Sequence, residues 1–169
     1  MRNERLRWAL PDSETLPLVG EHLRACGFPV PKVLESGVHR LQDPLGNGLD
    51  FEIFTLAPSD VGTYVEHGIA ELGIKSTDLV RETRAQVWRP FTFSYGVYPI
   101  VLAAPKGLSL HHLTSRGAMR LATSRPTLAR EIFTARGLAV EVVQVEDSLT
   151  ACLLGLADCY IDRLQEPSL

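Results

Sequence analysis

Two carboxylates near the end of the chain are the first candidates for chemistry. Asp158 and Asp162 lie four residues apart in the segment GLADCYID (155–162). On a continuous β-strand, residues four apart point to the same face, although a strand this short can also end between them. Two carboxylates on one face can hydrogen-bond the hydroxyls of a ribose or bind a magnesium ion. The segment is therefore a candidate for the edge of an active site, although the residues alone favour a structural role for the two carboxylates.

A second candidate is the strand-to-helix turn in LATSRPTLAR (121–130). The predicted strand ends in Thr123 and Ser124, and Arg125 with Pro126 opens the next helix. Hydroxyl groups and free backbone N–H groups at a helix start bind anions, and the arginine adds positive charge. The alternative is ordinary capping of the helix by Thr123 or Ser124. The sequence leaves both interpretations open.

Histidines occur beside possible partners at two places. Glu66 and His67 are adjacent in TYVEHG (63–68), and adjacent residues on a helix do not face each other, so an acid–base pair is not expected. His111 and His112 follow one another in a predicted loop, with no third metal ligand near in sequence. Solvent exposure is the favoured interpretation at both places, and the roles of the two loop histidines stay open.

Acidic residues stand where a phosphate site is common. The turn PDSE (11–14) follows the first predicted strand, and open α/β folds often bind ligand phosphates at such a helix start. Asp12 and Glu14 are anionic, and carboxylates are themselves stabilised at the positive end of a helix dipole. We therefore expect these two residues to cap the helix rather than to leave room for a phosphate.

Alternating strands and helices must position all of these residues. A strand is predicted for LRWAL (6–10), followed by a helix with Ser13 as N-cap and Gly27 as its stop signal. Residues 33–56 form a predicted hairpin around the turn DPLGNG. Further strands are predicted at 70–74, 87–91, 98–105, 119–124, 140–145 and 158–161, and further helices at 60–68, 76–82, 126–137 and 148–155.

This order of elements predicts an α/β fold with largely parallel sheets. The stretch between Pro90 and Pro99 is interpreted as a crossing between two small lobes, 1–90 and 91–162, with 163–169 as a tail. Proteins of this class bind ligands near the carboxyl ends of the strands, and we expect a ligand cleft between the lobes.

Composition argues against several classes of function. The net charge is −3, so neither broad nucleic-acid binding nor binding to a membrane surface is expected. The apolar runs are too short to span a membrane, and the charged N-terminal residues do not resemble a signal peptide. Cys26, Cys152 and Cys159 lack metal-binding spacing and are predicted to be buried free thiols in a reducing cytoplasm.

Several segments together resemble one enzyme family. The run SDVGTYVEHGIAELGI (59–74) closely resembles ATP phosphoribosyltransferase, the enzyme that opens histidine biosynthesis. LRWALP (6–11), IVLAAPKG (100–107), RLATSRPTLAREIFTARGLAVEVV (120–143) and GLADCYID (155–162) resemble other segments of the family in the same order. The resemblance covers nearly the whole chain and is to the short form, which lacks a C-terminal regulatory domain.

The resemblance implies an activity, a fold and partners. The family condenses ATP with phosphoribosyl pyrophosphate and releases pyrophosphate, with Mg²⁺ accompanying the phosphates. Its two lobes are of the periplasmic-binding-protein type. Short-form members work as cytoplasmic hetero-oligomers with a regulatory subunit that resembles a histidyl-tRNA synthetase. No catalytic residue is assigned by the resemblance, and the residues that match and are implied to bind substrate are Glu66, Arg120, Thr123, Asp158 and Asp162.

The sequence departs from the family where phosphates are expected. The family has lysine, glycine and arginine after its first strand, where this chain has Asp12, Ser13 and Glu14. Other positions at which the family has basic or acidic residues carry Ala57, Val97, Pro99 and Leu149 here. Beyond Asp162 the family continues with a Ser/Thr-Gly-x-Thr loop around the ribose 5-phosphate, and residues 163–166 do not match it.

These departures leave the functional hypothesis with alternatives. The first hypothesis is a divergent, active ATP phosphoribosyltransferase. The second is a catalytically impaired relative that serves as a binding or regulatory subunit. The third is a chain truncated or altered in reading frame near Arg163.

Overall fold

The computed structural model describes residues 4–107, 109, 111, 115 and 117–164. The chain divides into two compact units, the first ending at Gly96 and the second beginning at Val97, whereas the sequence suggested a boundary after residue 90. Each unit contains one four-stranded sheet with helices on its faces. The predicted α/β class is confirmed.

The sheet of the first unit has the strand order β2-β3-β1-β4. Its strands are β1 (Glu4–Pro11), β2 (Gly37–Leu41), β3 (Leu49–Leu56) and β4 (Leu72–Gly73). β1 lies parallel to both β3 and β4, and β2 pairs with β3 as an antiparallel hairpin. The hairpin predicted within residues 33–56 is thereby confirmed.

Helices cover both faces of the first sheet. They are α1 (Leu16–Ala25), α2 (Val61–Glu66) and α3 (Thr77–Thr83). Successive strand residues point to opposite faces, so Trp8 and Leu10 of β1 pack in one core cluster with Val19 of α1. Ala9, between them in sequence, packs with Val61 of α2 in a second cluster.

The second unit repeats this arrangement with the strand order β5-β8-β6-β7. Its strands are β5 (Ile100–Ala103), β6 (Met119–Thr123), β7 (Val140–Gln144) and β8 (Cys159–Arg163), and within residues 117–164 the helices are α4 (Pro126–Thr134) and α5 (Ser148–Leu153). β6 is parallel to β7 and β8, and β5 is antiparallel to β8. Leu121 packs with Phe133 of α4 on one face, and Ala122 packs with Ala151 of α5 on the other.

Parallel strands give each sheet one edge at which carboxyl ends meet. In the first unit this edge follows β1, β3 and β4, and in the second it follows β6, β7 and β8. Open α/β sheets bind ligands outside this edge. We call these two places the first and the second carboxyl edge.

Four local predictions were wrong. Residues 87–91 form no strand, because Pro90 has no N–H to donate to a ladder, and Trp88 is left 88% exposed. The first helix begins at Leu16 with Thr15 as N-cap, so Ser13 does not cap it. His111 has helical backbone rather than a loop conformation. Cys26 follows the last helical residue of α1 and is exposed, whereas Cys159 is buried as expected.

Candidate functional site

Three side chains predicted from separate segments meet at the second carboxyl edge. Asp162 lies near the end of β8, Thr123 is the last residue of β6, and Arg125 is the N-cap residue of α4. Because β6 and β8 are parallel neighbours, their carboxyl ends lie side by side. The sheet topology therefore brings a carboxylate, a hydroxyl and a guanidinium together.

Asp162 is held by both of its carboxylate oxygens. Ser148, the first residue of α5, donates its hydroxyl to Asp162 Oδ2 at 2.6 Å. Arg125 Nη1 donates to Asp162 Oδ1 at 3.3 Å, and this ion pair keeps only 14% of the Arg125 side chain and 26% of the Asp162 side chain exposed. These two hydrogen bonds hold the Asp162 carboxylate in a defined orientation, since charge-assisted hydrogen bonds are stronger than neutral ones.

Thr123 fixes the start of the following helix from a buried position. Its hydroxyl accepts from the Arg125 backbone N–H at 3.0 Å, and its residue is 1% exposed. Arg125 Nη1 also donates to Ser124 Oγ at 2.8 Å. The N-cap residue of α4 is Arg125, which makes no side-chain capping bond, so capping by Thr123 or Ser124 was the wrong alternative. These hydroxyls hold Arg125 instead.

A shallow depression lies at this edge. Its empty volume is about 210 Å³, which includes open solvent. It is lined by Thr123, Arg125, Asp162 and Arg163 and by the apolar residues Ile100, Leu128, Ala129 and Ile161. The guanidinium of Arg163 stacks over the Tyr98 ring at 5.5 Å from its centroid. Two guanidinium groups and one carboxylate give the lining a net positive charge that favours anionic ligands.

Asp158 lies at the opposite end of the same strands. It immediately precedes β8 and pairs with Arg120 near the start of β6. Arg120 Nη2 donates to Asp158 Oδ1 at 2.8 Å, and the Arg120 backbone N–H donates to Oδ2 at 3.0 Å. The hydrogen bond with Asp158 raises the pKa of Arg120. Four residues of strand correspond to roughly 13 Å, so the structure does not bring Asp158 and Asp162 to one site.

The predicted residues of the first unit lie apart from this constellation along the chain. Glu66 is the exposed last residue of α2, and His67 follows it as an exposed C-cap. Their roles stay predictions.

Asp12 does not cap α1, contrary to the sequence-based expectation. Its carboxylate accepts a hydrogen bond from the Ser36 hydroxyl, and its backbone N–H donates to Leu56 O at 2.7 Å. Asp12 thus ties β1 to the end of β3 through its backbone and to the loop before β2 through its side chain. Glu14 is exposed.

Metal-ligand clusters and paired histidines do not add a second site. Within residues 4–107, 109, 111, 115 and 117–164, no three or more His, Cys, Asp or Glu side chains are grouped as a metal ion requires. His111 is exposed, and His112 lies outside the described residues.

Sequence reasoning missed Ser148 and the partner of Arg125. Ser148 is 2% exposed and contacts a carboxylate fourteen residues further along the chain. A serine at the start of a helix is an ordinary capping signal, and only the placement of α5 over β8 turns it toward Asp162. Arg125 was recognised as a cation, but its pairing with Asp162 depends on strand order.

Two α/β units, each with a mainly parallel four-stranded sheet, define a protein of the periplasmic-binding-protein-like class. The family model of ATP phosphoribosyltransferase (HisG) matches residues 57–166. The chain belongs to the ATP phosphoribosyltransferase family.

Named relatives support this assignment. The ATP phosphoribosyltransferase of Anaeromyxobacter sp. (strain K) is 35% identical over 140 residues, which cover 82% of this chain and 62% of the relative. That of Symbiobacterium thermophilum is 34% identical over 160 residues, which cover 93% of this chain and 72% of the relative. The chain thus spans less than two thirds of the length of the Anaeromyxobacter relatives.

A solved structure has the same fold. The ATP phosphoribosyl transferase (HisG:HisZ) complex from Thermotoga maritima superimposes with a TM-score of 0.76 at 25% sequence identity. The superposition covers 95% of this chain and 73% of the chain in that complex.

Proposed function

We propose that this protein condenses ATP with phosphoribosyl pyrophosphate in the first step of histidine biosynthesis. In this reaction the ribose carbon that carries pyrophosphate becomes bonded to the adenine ring, and pyrophosphate leaves. Membership of the family and the enzyme name carried by the relatives support the proposal.

The observation that carries the proposal is the Asp162–Arg125–Thr123 constellation at the second carboxyl edge. A carboxylate fixed by Ser148 can accept hydrogen bonds from ribose hydroxyls, which are neutral donors. The guanidinium groups of Arg125 and Arg163 supply positive charge for phosphate oxygens beside it. We therefore assign Asp162 to the binding of the phosphoribosyl group, Arg125 to the balance of its charge, and Thr123 to the placement of Arg125.

Positioning is the main contribution expected from these residues. Both substrates are polyanions, and holding them in reactive geometry lowers the barrier by removing the entropy cost of their encounter. Fixed cations and backbone dipoles then stabilise the charge that develops on the leaving pyrophosphate. Glu66, Arg120 and Asp158 were also predicted to bind substrate; Arg120 and Asp158 pair with each other at the opposite ends of β6 and β8, so we do not include them in this site.

Magnesium is proposed to accompany the phosphates. Mg²⁺ binds through one or two carboxylates together with waters and substrate phosphates. The donor set of the described residues does not form a resident metal site, because Asp162 is engaged by Ser148 and Arg125 and Asp158 by Arg120. ATP binding and a role for the ion thus rest on the chemistry of the substrates.

A regulatory partner is proposed as well. The similar Thermotoga maritima structure is a HisG:HisZ complex. By analogy, we propose that this chain works as a hetero-oligomer with a subunit resembling a histidyl-tRNA synthetase, in the cytoplasm. In the described part of the chain, every helix falls short of the length and apolar character needed to cross a bilayer.

A catalytically impaired relative, the alternative suggested by the charge changes at Asp12 and Glu14, is not favoured. Relatives that are 34–35% identical to this chain over the aligned residues carry the name of the enzyme.

The test is the release of pyrophosphate from ATP and phosphoribosyl pyrophosphate with Mg²⁺, with and without a histidyl-tRNA-synthetase-like subunit. Turnover is expected with the partner, and Asp162→Asn should reduce it by at least tenfold because the amide cannot accept two strong hydrogen bonds. Glu21→Gln, which neutralises an exposed carboxylate on α1, is the control. Absence of turnover with every partner and at every substrate concentration would refute the proposal.

A further inference from the structure

A lysine occupies the first carboxyl edge, where the chain otherwise presents acids. Lys75 follows β4, and β4 is the sheet neighbour of β1. Ile74 N–H donates to Ala9 O at 3.1 Å, so the chain passes directly beside the end of β1 as it reaches Lys75. Asp12 and Glu14 follow β1 at this same edge.

The ammonium group of Lys75 is fixed by two neutral oxygens. Nζ donates to Ser59 O at 2.7 Å and to Thr83 Oγ1 at 3.0 Å. Ser59 belongs to the loop after β3, and Thr83 is the last residue of α3. An ammonium has three N–H donors, so one is left without an acceptor among the residues that the structure describes.

Close packing limits the hydration of this charge. The ammonium lies over the first turn of α2, where a Cβ built on Gly62 would be 3.1 Å from Lys75 Nζ. Burial lowers the pKa of Lys75, and the negative charges of Asp60 and Asp78 oppose that shift. A partly dehydrated cation is stabilised by an anion that reaches its remaining donor.

We propose that Lys75 binds a phosphate group of the substrates at the first carboxyl edge. This inference rests on the proposed function and names a residue for it. A phosphate oxygen accepts the third N–H of the ammonium, while Ser59 and Thr83 keep the group in place. Lys75, which follows the neighbouring strand β4, thereby places a cation at the edge where Asp12 and Glu14 carry negative charge.

A purely structural role would use the same two hydrogen bonds. Lys75 then only fastens the loop after β3 to the end of α3, and its loss lowers stability without changing the affinity of the folded protein. The two roles differ in ligand affinity, so the experiment must measure binding and unfolding separately.

The experiment titrates three ligands, pyrophosphate, ATP and phosphoribosyl pyrophosphate, into the full chain by calorimetry. Lys75→Met removes the charge and retains most of the side-chain volume, Lys75→Arg retains the charge, and Arg136→Met removes an exposed cation that follows α4. Lys75→Met should weaken at least one ligand about tenfold or more, as expected for a lost charge-assisted hydrogen bond. Arg136→Met should change every affinity by less than about twofold. The ligand that is weakened identifies the substrate whose phosphate Lys75 contacts.

A second measurement keeps the inference testable if Lys75→Met unfolds. In the wild-type chain, labelling of the Lys75 amine by an amine-reactive ester is followed by peptide mass spectrometry, with exposed Lys32 as internal reference. Saturating ligand should slow labelling of Lys75 and leave Lys32 unchanged. Equal affinities of wild type and Lys75→Met, or equal labelling with and without bound ligand, would overturn the inference alone. If wild type binds none of the three ligands, the proposed function fails and this inference with it.

Discussion

Ser148 and Asp162 are joined by a hydrogen bond of 2.6 Å that links the first turn of α5 to the carboxyl end of β8. The hydroxyl is almost completely buried, and the carboxylate keeps 26% of its side-chain surface exposed. One partner is thus part of the core, and the other faces the depression at the second carboxyl edge. Because α5 packs against β8, its residue Ser148 fixes the orientation of Asp162, which is proposed to bind the substrate.

We predict that Ser148→Ala selectively weakens the binding of phosphoribosyl pyrophosphate. Without the hydroxyl donor, Asp162 keeps its bond to Arg125 but loses the contact that fixes its other oxygen. A hydrogen bond to a charged group contributes about 1.5–3 kcal/mol, so KM for phosphoribosyl pyrophosphate should rise about ten- to hundredfold with KM for ATP unchanged. Thr134→Ala, which removes an exposed hydroxyl at the end of α4, is the control. Equal increases in both KM values would contradict the assignment of Asp162.

Arg120 and Asp158 should contribute to stability and not to substrate affinity. The two residues pair with each other at the amino ends of β6 and β8, away from the second carboxyl edge. Arg120→Met should lower the thermal unfolding temperature, because it leaves Asp158 without the guanidinium that pairs with it. The dissociation constant for phosphoribosyl pyrophosphate, measured on the folded variant, should stay within about twofold of wild type. A large loss of affinity at unchanged stability would restore the substrate-binding role that the family resemblance implies.

Features of the fold that depend on residues close together in the sequence were predictable, and features that depend on contacts between distant segments were not. Hydrophobic periodicity and turn residues predicted most of the strands and helices because they are local signals. The segment 87–91 was mispredicted because Val87 and Phe91 imitate a strand while Pro90 prevents pairing. Cys26 was expected in the core from its apolar neighbours, yet it lies just past the end of α1, where the helix no longer covers it.

The candidate site was predictable in its residues but not in its grouping. Thr123, Arg125 and Asp162 each stood out by residue type at a strand end. Asp158 and Asp162 were considered as a pair because residues four apart share a strand face, and the structure separates them along the strand. Which carboxylate meets which cation is decided by the order β8-β6 and by the position of α5, and neither is encoded in local spacing.

Glycines test the packing of the first unit directly. A Cβ on Gly73 would lie 2.9 Å from Val61 Cγ1 and 2.9 Å from Val65 Cγ2, both on α2. Gly73→Ala should therefore destabilise the protein by about 1–3 kcal/mol through overpacking. In Gly20→Ala the new Cβ would be 3.3 Å from Arg24 Nη1, a side-chain atom, and the helix interior favours alanine by about 0.5–1 kcal/mol. Denaturant unfolding should thus rank Gly20→Ala above Gly73→Ala, and the reverse order would show that α2 moves freely relative to β4.

The pair Arg7–Glu71 predicts a specific pH dependence of stability. Arg7 donates to Glu71 Oε1 from Nη2 at 2.5 Å and from Nε at 3.0 Å, and these bonds lower the pKa of Glu71 below its usual value of 4.5. A carboxyl whose pKa is lower in the folded state binds fewer protons there, so its stabilisation is present above about pH 4.5 and is lost as the pH falls through the folded-state pKa. Since the side chains are 32% and 39% exposed, solvent screening keeps the effect small.

Glu71→Gln should therefore lower the unfolding temperature at pH 7, and the difference in unfolding temperature between the variant and wild type should shrink as the pH is lowered below 4.5. Exposed Glu21→Gln on α1 should show no such trend, and a difference for Glu71→Gln that grows on acidification would refute the assigned sign.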